Sequence, residues 1–202
     1  RIMCGYLSPT KGDVLIYGNN IETNRINALK FIGYVPEISS LYGDMIVYDF
    51  IKWIAEIWNI KSYEEIILKV SKQMQITNVL TEKIDNLSKG YKQRVGIAQA
   101  ILGDPEVIIL DEPTVGLDPK QIIEIRDLIQ QLGKKHTVIL SSHILSEVQA
   151  ICQTILIISK GKLLKEITSE ELKKQCRPTI FIQTKEQVPF VIVVYLQLIG
   201  MD

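Results

Sequence analysis

Residues 107–119 read VIILDEPTVGLDP, an apolar run that ends on two adjacent carboxylates, Asp111 and Glu112, and is stopped by Pro113. A short run of branched aliphatics at every position suits a strand buried on both faces, as in a parallel sheet covered by helices. The C-terminal end of such a strand lies at the sheet edge where open α/β folds bind their ligands. Asp111 and Glu112 would emerge there together. One acid could hold a magnesium ion while the next takes a proton from an attacking water. The plainer alternative is a strand that ends in a solvated loop with two ordinary surface acids.

Just downstream, Gly116 permits a tight turn, Asp118 can cap a helix and Pro119 suits the first helical position. Upstream stands NLSKGYKQRVGIAQAIL, in which Ser88 is an N-cap candidate with Gly90 in the first turn. Free N–H groups and the positive end of the dipole make such a terminus an anion site as well as a cap. A second apolar strand, TVILSSH at 137–143, delivers Ser141, Ser142 and His143 to the same sheet edge as the two acids.

Short apolar runs alternate along the chain with patterns of helical period, the signature of an α/β domain with a largely parallel sheet. Strands are predicted at 13–18, 31–36, 106–111, 137–142 and 154–167, the last folded back at Lys160-Gly161-Lys162. Helices are predicted at 88–103, 119–133, 144–152 and 169–175, the last opened by Ser169 with Glu170 and Glu171 behind it. Residues 37–105 carry almost no strand signal. Val47, Phe50, Ile51, Ile54, Ile57 and Trp58 fall at helical spacing, and a second helix follows over 62–76 with Ser62 as its cap. A helical lobe inserted in the α/β core is expected, its aromatic residues serving as packing. The opening RIMCGYL reads as the tail of a helix closing at Gly5.

Lys+Arg and Asp+Glu both number 23 in 202 residues, so the formal net charge is zero and a surface devoted to nucleic-acid phosphates is not expected. Cys4, Cys152 and Cys176 are widely spaced and lack a metal-ligand pattern; they read as core thiols of a reducing compartment. The apolar stretch VPFVIVVYLQLIGM at 188–201 is shorter than the roughly 18 residues that span a bilayer, and reads as core.

Taken in order, these segments resemble the nucleotide-binding domain of ATP-binding-cassette (ABC) transporters. LSKGY at 87–91 is similar to the family's signature motif, VIILDE to its Walker B strand with the catalytic glutamate, GLDP at 116–119 to its D-loop and SSH at 141–143 to its switch-histidine loop. IGYVPE at 32–37 stands where the Q-loop belongs, and GYLSPTKGDVLIYG at 5–18 resembles the segment after the phosphate loop. The resemblance covers residues 1–170, with the helical subdomain at about 42–103 and a C-terminal extension at 171–202. It implies a P-loop NTPase-like three-layer α/β core with a mostly parallel sheet.

The resemblance also implies roles. Asp111 would hold magnesium with Glu37 as a second ligand, Glu112 would polarise the water attacking the γ-phosphate of ATP, and His143 would contact that phosphate. Ser88 and Gly90 would bind the γ-phosphate of ATP held by a second, head-to-tail nucleotide-binding domain, and Asp118 would cross that interface. The implied function is an ATPase subunit, exporter-type by motif style, on the cytoplasmic face of the cell membrane beneath separate transmembrane permease subunits. Soluble relatives that act in translation or DNA repair, or a non-catalytic interaction module, are the alternatives.

Three features depart from the family pattern. No G-x-x-x-x-G-K-[ST] occurs in the 202 residues, and the resemblance places that loop upstream of Arg1, so a truncated chain inactive by itself is expected. Glu37 replaces the usual glutamine of the Q-loop. Lys89 and Tyr91 replace the first glycine and the glutamine of LSGGQ; Lys89 is expected to bring a cation near the incoming phosphate.

Overall fold

The computed structural model describes residues 1–175 and 190–196. The chain enters through a turn in which Gly5 N–H bonds Ile2 C=O and Tyr6 N–H bonds Arg1 C=O. This pair of hydrogen bonds is the one that closes a helix C-terminus, in agreement with the reading of RIMCGYL. A short hairpin follows, β1 (Leu15–Ile16) against β2 (Asn19–Asn20), then α1 (Arg25–Leu29) and β3 (Ile32–Val35). The five-residue α1 has no apolar periodicity long enough to have been read from sequence.

The inserted lobe holds α2 (Val47–Ile57) and α3 (Tyr63–Gln73), joined through 3₁₀ turns to α4 (Lys89–Ile101). Val47, Phe50, Ile51 and Ile54 are buried as expected, but Ile57 and Trp58 are exposed. The buried face of α2 thus ends at Ala55, and Trp58 lies beside Gly103 just past the end of α4 while staying partly open to water. Ser62 is likewise not a cap. It sits at φ 54° with no side-chain bond, so α3 begins from a left-handed residue instead.

After α4 come β4 (Val107–Asp111), α5 (Pro119–Leu132), β5 (Thr137–Ser142), α6 (Leu145–Ile151), the hairpin β6 (Thr154–Ser159) and β7 (Lys162–Thr168), α7 (Ser169–Gln175) and β8 (Phe190–Leu196). Lys160 and Gly161 turn the β6–β7 hairpin with positive φ at both, the two-residue geometry that matches strand twist. The cap of α7 is Thr168 rather than Ser169. Thr168 Oγ1 accepts from Glu171 N–H while Glu171 Oε2 accepts from Thr168 N–H, a reciprocal box one residue earlier than expected.

The sheet runs β3-β4-β5-β8-β6-β7. β3, β4 and β5 are parallel, with Ile108 opposite Val138 and Asp111 opposite Ser141. β8 lies between β5 and β6, antiparallel to both, and β7 is antiparallel to β6. The sheet is therefore mixed, and part of the 188–201 stretch is one of its inner strands. Residues 179–184, also apolar, and Cys176 lie outside the described residues. Among the described residues no helix is long and apolar enough to cross a membrane.

β4 is covered on both faces, as its sequence required. Ile108 and Leu110 join the large core shared with α2, α3, α4 and α5, while Val107 and Ile109 face a smaller cluster with Cys4 and Ile32. Burial pushes the Cys4 thiol up to about 11 and the Cys152 thiol to about 12, so both stay protonated core residues. The helical lobe and the sheet thus share one interior. Gly33 on β3 lets α4 approach closely: a Cβ there would stand 2.2 Å from Ala100 O.

Candidate functional site

Asp111 is the last residue of β4 and is partly exposed at the sheet edge. The parallel register sets it beside Ser141 of β5, whose Oγ donates to Asp111 Oδ1 at 2.5 Å. The same Ser141 Oγ accepts from Glu112 N–H at 3.1 Å, and Ser141 C=O accepts from it at 3.2 Å. Ser141 therefore fixes one acid by its side chain and the other by its backbone. From sequence Ser141 is only a strand end; its bonds to both acids follow from the register of β4 and β5.

Glu112 has φ 47°, a left-handed conformation that a non-glycine residue adopts at a cost, and such outliers concentrate at functional sites. The turn swings the carboxylate away from Asp111 and toward the end of β5. There His143 Nδ1 lies 3.0 Å from both Glu112 Oε1 and Oε2. The Glu112 side chain is 18% exposed and that of His143 is 59% exposed. The hydrogen bond to Glu112 and the charge of Glu112 raise the imidazole pKa above its ordinary value, against a small desolvation effect, with Glu147 and Glu37 adding to the rise. A proton is thus stabilised between an imidazole and a carboxylate at the mouth of the sheet.

The helix termini form a second group. Ser88 Oγ accepts from Tyr91 N–H at the start of α4, and Asp118 Oδ1 accepts from Gln121 N–H at the start of α5, with Pro119 in the first turn. Both caps match the sequence reading. Ser88 and Asp118 are exposed, whereas Gly90 is buried because Gln121 lies across it; a Cβ on Gly90 would be 2.8 Å from Gln121 Cδ. Packing of α5 over α4 is thus one reason for a glycine at that position. Gly116 turns at φ 75°, and Lys89 Nζ would be 3.3 Å from a Cβ on it, so the Lys89 ammonium rests beside the 113–118 loop.

A cleft of ≈ 340 Å³ is lined by Glu37 from the loop after β3, by Lys89, Lys92 and Gln93 of α4, and by Val115 and Leu117. Glu37 is exposed in it. The structure thus brings Asp111, Glu112, Ser141 and His143 together at the sheet edge, sets Ser88, Gly90 and Asp118 at the starts of α4 and α5, and places Glu37 in a cleft with Lys89, its charge felt at His143.

Among the described residues no three His, Cys, Asp or Glu side chains converge to hold a metal by themselves. A single partly exposed carboxylate, held by a hydroxyl on one oxygen, fits magnesium that keeps its waters and takes phosphate oxygens from a nucleotide. It does not suit an all-protein cage.

The model of the ABC transporter family matches residues 1–115. Over 189 residues the chain is 37% identical to the bacitracin transport ATP-binding protein BcrA of Bacillus licheniformis, covering 93% of this chain and 61% of that one. It is also 37% identical to the uncharacterized ABC transporter ATP-binding protein YhcH of Bacillus subtilis (strain 168), covering 92% of this chain and 61% of that one. Among solved structures, cbiO1 from Clostridium perfringens, described as part of the ABC transporter complex cbiONQ, superposes with a TM-score of 0.76 at 25% identity, over 86% of this chain and 72% of that one. The chain spans about three fifths of the length of these curated relatives (61%).

Proposed function

The chain belongs to the ABC transporter family, and from that membership we propose that it is the ATP-binding and ATP-hydrolysing part of an exporter-type transporter, driving substrate across a membrane through separate transmembrane permease subunits. One observation carries the reading: Glu112 and His143 share a hydrogen bond at the sheet edge, one residue from Asp111. In this reading Glu112 orients and deprotonates the water that attacks the γ-phosphate. His143, donating to Glu112 from Nδ1, holds that carboxylate and presents its other face to the phosphate. Asp111 and Glu37 would hold magnesium, which when bound neutralises phosphate charge.

Ser88 and Asp118 cap α4 and α5 and are exposed, which supports their acting on ATP held by a second nucleotide-binding domain in a head-to-tail dimer. The backbone N–H of Gly90 and the Ser88 hydroxyl would meet the partner's γ-phosphate, and Asp118 would cross the interface. Residues 1–170 then form the ATPase domain, about 42–103 its helical subdomain and 171–202 an extension. The assembly would sit on the cytoplasmic face of the cell membrane, with no nucleic acid as partner. Relatives named for bacitracin transport support transport as the task.

The test is ATP hydrolysis by the intact protein purified with its membrane subunits. E112Q is expected to lower kcat by about 10²-fold or more while ATP still binds. Wild-type turnover from E112Q would remove Glu112 from the mechanism, and an inactive wild type would overturn the reading.

A further inference from the structure

The Glu112–His143 contact is exposed on its imidazole side, and exposed ionic hydrogen bonds are weak and easily exchanged for water. The two chain segments that carry it are joined a second time beneath the surface. Thr114, two residues past Glu112, donates from Oγ1 to Glu147 Oε2, and Glu147 lies four residues past His143 in α6. Both residues are buried, at 5% exposure each. The other carboxylate oxygen, Glu147 Oε1, faces Arg126 of α5 at 3.5 Å. Arg126 Nε is itself buried without a hydrogen-bond partner, so the pairing with Glu147 is what compensates its charge.

A carboxylate seldom sits this deep unless it is paired, and one bonded to two other elements ties them together. Here those elements are the 112–118 loop, which carries Glu112 and the Asp118 cap, and α5, which starts at that cap. We infer that Glu147 is a positioning residue: by clamping Thr114 and Arg126 to α6, it fixes the 112–118 loop against the end of β5 and so holds His143 on Glu112. Thr114 and Arg126 complete the clamp. None of the three touches the reacting groups.

The kinetic arm of the test rests on the proposed ATPase reading. In the intact protein with its membrane subunits, E147Q and T114V are expected to lower kcat about tenfold, because small misplacements of reacting groups cost rate. KM for ATP should stay within about twofold, and T114S, which keeps the hydroxyl, should restore turnover. In a H143A background E147Q should add less than about a twofold further loss, since both changes break one unit. Wild-type kcat in E147Q and T114V, a loss confined to KM, or full multiplication with H143A would overturn the clamp.

A wild type without ATPase activity would instead count against the proposed function. The clamp is then decided by hydrogen exchange on the same intact protein. E147Q and T114V must both speed exchange in segments 111–118 and 141–147, and unchanged exchange there overturns it.

Discussion

Ser141 and Asp111 stand opposite one another at the ends of two parallel strands, and the Ser141 hydroxyl donates to Asp111 Oδ1 while accepting from the backbone of Glu112. One hydroxyl therefore sets the direction of both acids.

Replacing Ser141 by alanine leaves Asp111 and the Glu112 N–H each short of a partner. S141A is expected to lower ATPase kcat of the intact protein by about tenfold and to raise the magnesium concentration needed for half-maximal rate, with a loss of about 1 kcal/mol in urea unfolding. An unchanged magnesium dependence would show that Asp111 is oriented without Ser141.

His143 titrates above its ordinary imidazole value because it gains Glu112 as a partner on folding. A pKa raised in the folded state means stability that is fully present below the unfolded pKa and lost as pH rises through the folded one. The loss therefore falls between the unperturbed value of 6.5 and the raised value above it, and it is small because the ring is mostly in water. Proton NMR can follow this directly, since the chain has only two histidines and His136 is buried with Nδ1 on Pro105 C=O. E112Q should move the His143 midpoint down toward the ordinary value; a midpoint that stays put would place the cause elsewhere.

Two glycines test the packing of α4. A methyl at Gly33 meets backbone, Ala100 O at 2.2 Å, whereas one at Gly90 meets only the Gln121 side chain. G33A should cost roughly 1–3 kcal/mol or prevent folding, and G90A should cost less because Gln121 can swing away. Chemical denaturation of the two variants gives the order, and equal losses would contradict it.

Arg94 joins α4 to its neighbours, with Nη2 on Glu124 Oε2 at 2.5 Å and Nη1 on Gln75 Oε1 at 2.9 Å. Its side chain is 9% exposed but that of Glu124 is 39% exposed, so the ion pair itself is largely screened. R94A is expected to cost about 1–2 kcal/mol, mostly from Gln75 and lost packing. A double-mutant cycle with E124A should return less than about 1 kcal/mol of coupling.

Much of the site was legible because it is built from local signals. The all-apolar run ending in Asp111 and Glu112, the caps Ser88 and Asp118, the hairpin at Lys160-Gly161 and the placement of α4, α5 and α6 all follow from periodicity and capping chemistry. Misreadings came where neighbours override the pattern. Ile57 and Trp58 share the helical spacing of α2 yet are exposed, and Thr168 caps α7 in place of Ser169 because its hydroxyl and Glu171 close a reciprocal box.

The amino-acid sequence by itself determined at which strand and helix ends Asp111, Glu112, His143, Ser88 and Asp118 stand, since a strand end and a helix cap are written within a few residues. Only the tertiary structure decided how those ends meet. Ser141 reaches Asp111 and Glu112, Glu147 reaches Thr114, and β8 enters between β5 and β6, through contacts between residues far apart in the chain. Such contacts are set by strand register and by shared burial, which no local period encodes.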